Sequence, residues 1–176
     1  MKQSSEMEKE KIMKITLTVF LSFMFLASCS DQSTFSINTE ELDSFEYYSG
    51  GGFIPFGFVN HNNITINLKE SIITGGIHNS DNTELCSINY ALNMDMIHSL
   101  IAAIDSANYA TEYGPVYSAD GPNAYVIVSG QKIYFFTGST PNQTYYKFIN
   151  GSGQTMHDLI KTFIENARNE TPGCDP

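Results

Sequence analysis

The C-terminal part of the chain contains the pattern that most restricts its fold, an apolar stripe with helical spacing. Six apolar residues recur at intervals of one, three and four positions; they are Met156, Leu159, Ile160, Phe163, Ile164 and Ala167. This spacing places them on one face of an α-helix. Thr155, with Asp158 three positions later, forms a capping-box pattern that predicts where the helix begins. A helix with one apolar face must bury that face against a second layer of structure.

A second amphipathic helix is predicted over residues 94–107. Its apolar stripe consists of Ile97, Leu100, Ile101 and Ile104. Asn93 is a suitable N-cap, and the residue before it, Leu92, is placed to pack against Ile97.

The other layer is predicted to be a sheet. Segments with alternating polarity, or rich in aromatic and β-branched residues, are typical of strands; they are residues 45–49, 53–59, 64–68, 71–74, 86–92, 125–128, 132–136 and 144–149. Residues 75–84 (GGIHNSDNTE) have the composition of a loop. Two amphipathic helices and several strands predict an α+β fold, with an antiparallel sheet and both helices packed on one of its faces.

The N-terminal segment has the organisation of a bacterial signal peptide. A lysine-containing stretch, residues 9–14, precedes twelve residues at 15–26 that are apolar except for Thr and Ser. Such a run is too short to span a bilayer and suits the apolar core of a signal peptide. It ends in Leu26-Ala27-Ser28-Cys29, which resembles the lipobox of bacterial lipoproteins. Met7 and Met13 are alternative start residues.

This resemblance implies an organisation and a location for the chain. Residues 1–28 are expected to be a signal peptide, residues 29–43 a lipidated Cys29 with a flexible tether, and residues 44–176 a single domain. Each methylene of the acyl chains, such as palmitate, contributes ~0.8 kcal/mol when buried, so two or three chains anchor the protein essentially permanently. The expected location is the bacterial cell envelope, at the outer membrane, with the periplasmic and surface faces both open.

Two further cysteines, Cys86 and Cys174, form an even pair once Cys29 carries lipid. Outside the cytosol such a pair is expected to form a disulfide. The alternative is two free thiols that never meet, because sequence alone does not give their separation.

The charge of the chain excludes one class of partner. The part from Cys29 onwards carries five basic and sixteen acidic side chains, a net charge of −11. Such a surface repels phosphate backbones, so nucleic acid is not an expected partner.

The residues that commonly carry chemistry are scattered along the chain. The histidines, His61, His78, His98 and His157, form no HExxH motif or other close pair, and the first two fall in separate predicted loops. His98 is expected to be an ordinary packed or exposed helix residue and His157 a solvated surface residue. No GxSxG motif is present, and nothing local supports a thiol–imidazole pair of Cys86 with His98. No catalytic residue, metal or cofactor is predicted.

The glycine cluster Gly50-Gly51-Gly52 is predicted to be a permissive turn or bulge. It lacks the GxGxxG and GxxxxGK[ST] contexts of phosphate-binding loops, and no helix is predicted to follow it.

Aromatic residues concentrate around the first strands and after the first helix. They are Tyr47, Tyr48, Phe53, Phe56, Phe58, Tyr109, Tyr113 and Tyr117. Most are expected to fill the core or lie half-buried. Any that remain exposed suit a protein interface, where tyrosine is enriched, or a sugar-binding platform.

The order of the elements resembles a known family. A strand leads into Ser49-Gly50-Gly51-Gly52-Phe53, and a strand at 64–68 and a helix ending in Ala107-Asn108-Tyr109 come next. A strand at 125–128 and the C-terminal helix at 156–167 complete the order. The pattern resembles emfourin-type bacterial inhibitors of thermolysin-like metalloproteases and similar lipoprotein domains. The resemblance implies an inhibitory binding loop at Gly50, Gly51, Gly52 and Phe53. The chain departs from the family by the polar insertion at 75–82 and by the lack of an arginine before the glycines.

These observations predict a non-catalytic, lipid-anchored envelope protein that binds another macromolecule, with a protease as the most specific candidate. The alternatives are an accessory surface lipoprotein that binds glycan through exposed tyrosines, and a structural protein of the envelope.

Overall fold

The structure, a computed structural model, describes residues 33–51, 59–79, 81–114, 122–136 and 144–174. These residues form nine strands of one sheet and two α-helices. The strands are β1 (Thr34–Ser36), β2 (Ser44–Gly51), β3 (Val59–Asn67), β4 (Ile72–Asn79), β5 (Glu84–Ala91), β6 (Asn108–Tyr113), β7 (Pro122–Val128), β8 (Gln131–Phe136) and β9 (Thr144–Phe148). The helices are α1 (Met94–Asp105) and α2 (Gln154–Glu170), and a short 3-10 helix, Thr39–Glu41, follows β1.

The sheet is mixed rather than purely antiparallel. The strands lie in the order β1-β6-β9-β8-β7-β2-β3-β4-β5. Neighbours are antiparallel except β8 and β9, which run parallel. On its other side, β9 pairs antiparallel with β6. The α+β class is therefore confirmed, whereas the prediction of an entirely antiparallel sheet is wrong at this pair.

The alternating pattern predicted for β3 is confirmed. Ile64 and Ile66 are completely buried, whereas Asn63 and Thr65, which alternate with them, are exposed. The other predicted strands within the described residues are also present, with ends shifted by a few positions. The segment 53–59 lies outside the described residues except for Val59, which begins β3.

The prediction of a loop over residues 75–84 is wrong for its first half. Strand β4 continues to Asn79 and pairs with both β3 and β5. Gly75 has φ +145°, and a Cβ atom there would overlap the carbonyl oxygen of Asn63 and lie 2.9 Å from the Cα of Ile64. The glycine is therefore needed for a close approach of two strands rather than for a turn.

The sheet also includes two segments that the sequence pattern did not assign to it. Strand β1 pairs with β6, and Ile37 and Leu42, which follow β1, are buried in the core. Residues 34–42, assigned to a tether from composition, thus pack on the domain. Strand β6, which begins three residues after α1, pairs with β1 on one side and β9 on the other.

Both predicted helices are present, but only the first has its predicted N-cap. The side chain of Asn93 accepts a hydrogen bond from the backbone N–H of Met96 at 2.9 Å, as an N-cap does. The second helix begins at Gln154 after Gly153, which makes no side-chain cap, so the predicted capping box of Thr155 is wrong. The chain reaches this start through Asn150 and Gly151, both with positive φ.

Buried residues of the two helices and of the strands belong to one hydrophobic cluster. Its completely buried members include Tyr47 in β2, Ile73 in β4, Leu100 in α1 and Ile160 in α2. Cys86 in β5 and Cys174 after α2 lie at disulfide-bonding distance with Cα atoms 5.1 Å apart, which agrees with the predicted pair. Neither described helix has the length and apolar character needed to cross a bilayer.

Candidate functional site

The pleat of the sheet separates two sets of aromatic side chains. In β2, Phe45 and Tyr47 are buried in the core, whereas Tyr48 is half-buried and belongs to the opposite parity. In β7, Tyr125 lies between the buried residues Ala124 and Val126. Tyr48 is directly opposite Tyr125 in the register of β2 and β7. The residues that alternate with the core therefore bring aromatic rings together across strands.

Six of these rings form a continuous row, which we call the aromatic row. It crosses six adjacent strands, from β9 to β4, in the order Tyr145, Tyr134, Tyr125, Tyr48, His61 and His78. Successive ring centroids are 5.7, 5.3, 4.8, 5.9 and 4.7 Å apart. All of the rings are half-buried except that of Tyr145, which is buried. Cross-strand aromatic pairs of this kind stabilise a sheet. Only the outer edges of the half-buried rings are available to a ligand.

His61 and His78 lie close together, contrary to the prediction that they occupy separate loops. They are paired across β3 and β4, and their rings stack with an interplanar angle of 2°. Gly76 makes room for this arrangement, because a Cβ atom there would lie 2.7 Å from His78 Cε1. His78 Nε2 is 3.9 Å from a carboxylate oxygen of Glu84. Burial, and next the neighbouring His78, lower the pKa of His61.

The geometry of the stacked histidines does not favour a shared metal ion. Parallel rings direct their nitrogens side by side, whereas a metal needs nitrogens that converge on one point. Among the residues that the structure describes, no group of three histidine, cysteine or acidic side chains is arranged to hold a metal ion.

A groove opens beside the middle of the aromatic row. Its volume is about 530 Å³, and it is lined by Glu46, Tyr47, Tyr48, His61, Asn63, Asn82, Tyr125 and Ile127. A volume of this size falls in the range of small-molecule sites. The described lining residues combine aromatic rings with one carboxylate, two amides and a single aliphatic side chain. Burial, and next the negative charge of Glu46, raise the pKa of Tyr125.

Both lysines near the row are already engaged. Lys132 Nζ lies 4.2 Å above the centre of the Tyr125 ring, a cation–π geometry. Lys147 Nζ is 3.5 Å from Glu112, which also accepts a hydrogen bond from the Tyr145 hydroxyl at 2.9 Å. Burial, together with Glu112, raises the pKa of Tyr145 to about 12.

His157 is buried, contrary to the prediction of a solvated surface residue. It is 7% exposed and its ring contacts those of Tyr47, Phe135 and Phe136. The reason is that His157 precedes Ile160 by three positions and so extends the apolar stripe of α2. Burial lowers the pKa of His157, although the carboxylate of Asp158, 3.5 Å from Nδ1, acts in the opposite direction.

The buried imidazole predicts a pH-dependent stability. A lowered pKa means that the unfolded chain binds this proton more readily than the folded one, so the contribution to stability is complete above pH 6.5. We expect the free energy of unfolding to fall as the pH drops below 6.5 towards the pKa of the folded state. His61 acts in the same direction. Urea unfolding at pH 5.5 and 7.5 should show a smaller difference for His157→Phe than for the wild type, and an equal difference would contradict the assignment.

Of the sites predicted from sequence, the structure brings Cys86 and Cys174 together. Gly50 and Gly51 end β2 next to β3 and β7, whereas Gly52, Phe53 and the lipidation residue Cys29 lie outside the described residues. His98 is exposed on α1.

Sequence reasoning missed Tyr125, Tyr134 and Tyr145 as members of one surface. Tyr125 and Tyr134 each lie next to a buried position of their strand. Tyr145 is itself buried and is followed by the half-buried Tyr146. This alternation is visible in the sequence. Their alignment with Tyr48 depends on the strand order, which is not visible in the sequence.

Comparison of the chain with models of protein families, with curated proteins and with solved structures finds no match.

Proposed function

We propose that this protein is a non-catalytic, lipid-anchored binding module that holds a glycan on its aromatic row. The observation that carries the proposal is the continuity of the row and its groove: six ring side chains on adjacent strands beside a 530 Å³ groove. A row that crosses six strands suits an extended ligand that lies across the strands.

The chemistry of the groove favours a sugar over a protein segment. The rings of Tyr48 and Tyr125 stack on each other, so their edges and hydroxyl groups, rather than their faces, can contact a pyranose at the groove. The carboxylate of Glu46 and the amides of Asn63 and Asn82 can bond its hydroxyl groups. Protein interfaces, in contrast, have a core enriched in apolar and aromatic groups. Within the described part of the chain, Ile127 is the sole aliphatic side chain that lines the groove.

The proposal requires that the aromatic row remain open. We propose that both helices pack on the opposite face of the sheet. This is supported by the contacts of His157 in α2 with Tyr47 and Phe135, and by a cluster that unites the buried residues of both helices with the buried parity of the strands.

A binding role is also favoured over hydrolysis of the glycan. Glycosidic bond cleavage commonly uses a pair of carboxyl groups flanking the bond. Among the groove-lining residues that the structure describes, Glu46 is the one that carries a carboxylate.

The envelope location belongs to the same proposal. It is supported by the paired Cys86 and Cys174, since disulfides persist outside the cytosol, and by the lipobox before Cys29. In bacteria fed a clickable fatty acid, we expect the wild-type protein to be labelled and Cys29→Ser to be unlabelled. Equal labelling of the two would contradict lipid attachment at this residue.

The binding test uses a glycan array followed by titration of the best ligand. We expect Tyr48→Ala to weaken binding about tenfold or more, because a central ring contact of a binding site contributes roughly 1–2 kcal/mol. Tyr113→Ala is the matched control, because Tyr113 is 71% exposed on β6 and is not a member of the row. Absence of any hit for the folded wild type, or equal losses in both variants, would contradict the proposal.

The protease-inhibitor function implied by the family resemblance stays a prediction. Its loop extends from Gly50 into residues outside the described part of the chain, and no contact of that loop adds to the argument from sequence. Unchanged activity of a thermolysin-like enzyme at micromolar protein would rule it out.

A further inference from the structure

We infer that the ligand is an uncharged oligosaccharide several sugars long, which runs along the aromatic row across the strands with one sugar in the groove at Tyr48. This inference rests on the proposed function and specifies the class and length of the glycan.

The length follows from the number of strands that the row crosses. Adjacent strands lie about 4.8 Å apart, so the five spacings between Tyr145 and His78 span about 24 Å. The ring-to-ring distances, 4.7 to 5.9 Å, show no gap along this path. A monosaccharide would contact one or two of the six rings. An extended chain of several linked sugars would reach the outer edges of the five half-buried rings, from Tyr134 to His78.

The groove divides the row into a centre and two arms. Tyr48 and Tyr125 flank the groove, together with Glu46, Asn63 and Asn82. One arm consists of Tyr134 and Tyr145, and the other of His61 and His78. The polar groups are concentrated at the centre, where they can orient one sugar by hydrogen bonds. The arms offer mainly ring surface, and they should contribute affinity only when the ligand is long enough to reach them.

The charge of this surface excludes acidic sugars. Glu46 lies in the groove, Glu84 lies beside His78, and Glu112 lies beside Tyr145. Two lysines lie nearby, Lys147 paired with Glu112 and Lys132 over the Tyr125 ring, so the three carboxylates outnumber these two cations. The whole chain carries a net charge of −10, which repels an anionic ligand. At neutral pH the lowered pKa of His61 leaves its ring uncharged, so it offers no compensating cation.

The test is a calorimetric titration of the purified full chain with uncharged oligosaccharides of two to six units, chosen from the linkage that scores best on the array. We expect the dissociation constant to fall about tenfold or more from two to five units and then to level off, since each further ring contact adds binding free energy. A hexamer of uronic acids should bind at least about tenfold more weakly than the uncharged hexamer, because repulsion acts at every unit.

Two variants separate the centre from an arm. Tyr134→Leu keeps apolar bulk in the sheet but removes the ring, so it should weaken hexamer binding about fivefold and leave disaccharide binding within about twofold. Tyr48→Leu should weaken both. Thermal unfolding of each variant checks that it is folded.

The outcomes distinguish this inference from the proposed function. Glycan binding that is independent of length, or that is stronger for uronic acids, would overturn the inference and leave a glycan-binding module. Binding of no glycan by folded protein would overturn both, and the row would then be a set of cross-strand contacts that stabilises the sheet. Equal effects of Tyr134→Leu on disaccharide and hexamer would also overturn the division into centre and arm.

Discussion

Removing the disulfide between Cys86 and Cys174 is expected to lower the free energy of unfolding by about 4–5 kcal/mol, the upper value for a loop of this length. The two residues are 88 positions apart, and a cross-link over such a loop restricts the unfolded chain strongly. Cys86 lies in the edge strand β5, and Cys174 follows the end of α2. The bond therefore also holds the C-terminal end of α2 against the edge of the sheet.

The measurement is urea unfolding of the oxidised wild type and of the double variant Cys86→Ala/Cys174→Ala. Both cysteines are buried, so alanine leaves a small cavity in each case and introduces no polar group. Dithiothreitol should reduce the stability of the wild type towards that of the variant and should leave the variant unchanged. A difference of less than about 1 kcal/mol between oxidised wild type and variant would show that the bond has little effect on stability.

Gly75→Ala is expected to destabilise the protein by about 3–5 kcal/mol, which is large for an added methyl group. Gly75 has φ +145°, a conformation that is essentially restricted to glycine. The new Cβ would also overlap the backbone of β3 at Asn63 and Ile64. Backbone atoms cannot move aside as the end of a flexible side chain can, so β4 would have to separate from β3.

Gly130→Ala is the matched control. Gly130, in the turn between β7 and β8, has φ +79° and no atom within 4 Å of the position of a Cβ. Its replacement should cost only the conformational strain, about 1–2 kcal/mol. The difference between the two variants therefore measures the contact of β4 with β3. If both variants lost the same stability in urea unfolding, the close approach at Gly75 would not be present.

Local features of the sequence were predicted well because their causes are local. The helical spacing of Ile97, Leu100 and Ile104 depends only on the 3.6-residue period of a helix, and α1 is present with Asn93 as its cap. The start of α2 was predicted two residues late. Thr155 and Asp158 satisfy the capping pattern, but Gly153 packs against Phe148 and Phe135 and the helix begins directly after it.

The errors have a common cause in contacts between segments that are distant in the chain. The composition of residues 75–79 is typical of a loop, yet their pairing with β3 and β5 makes them a strand. Residues 34–36 form a short segment within a mostly polar stretch, yet they pair with the edge of β6. His157 was predicted to be a surface residue, yet its ring contacts those of Tyr47, Phe135 and Phe136.

The sequence by itself determined the α+β class, both helices and most strands, because periodicity is a property of the chain. It left the pairing of Cys86 with Cys174 as one of two alternatives, and the fold brings the two residues to disulfide-bonding distance. Only the tertiary structure decided that Tyr48 lies beside Tyr125 and that His61 stacks on His78. These contacts depend on the order and register of strands, and that order results from burying one face of every strand at once. The candidate binding surface is therefore a property of the folded sheet, assembled from residues that no local motif connects.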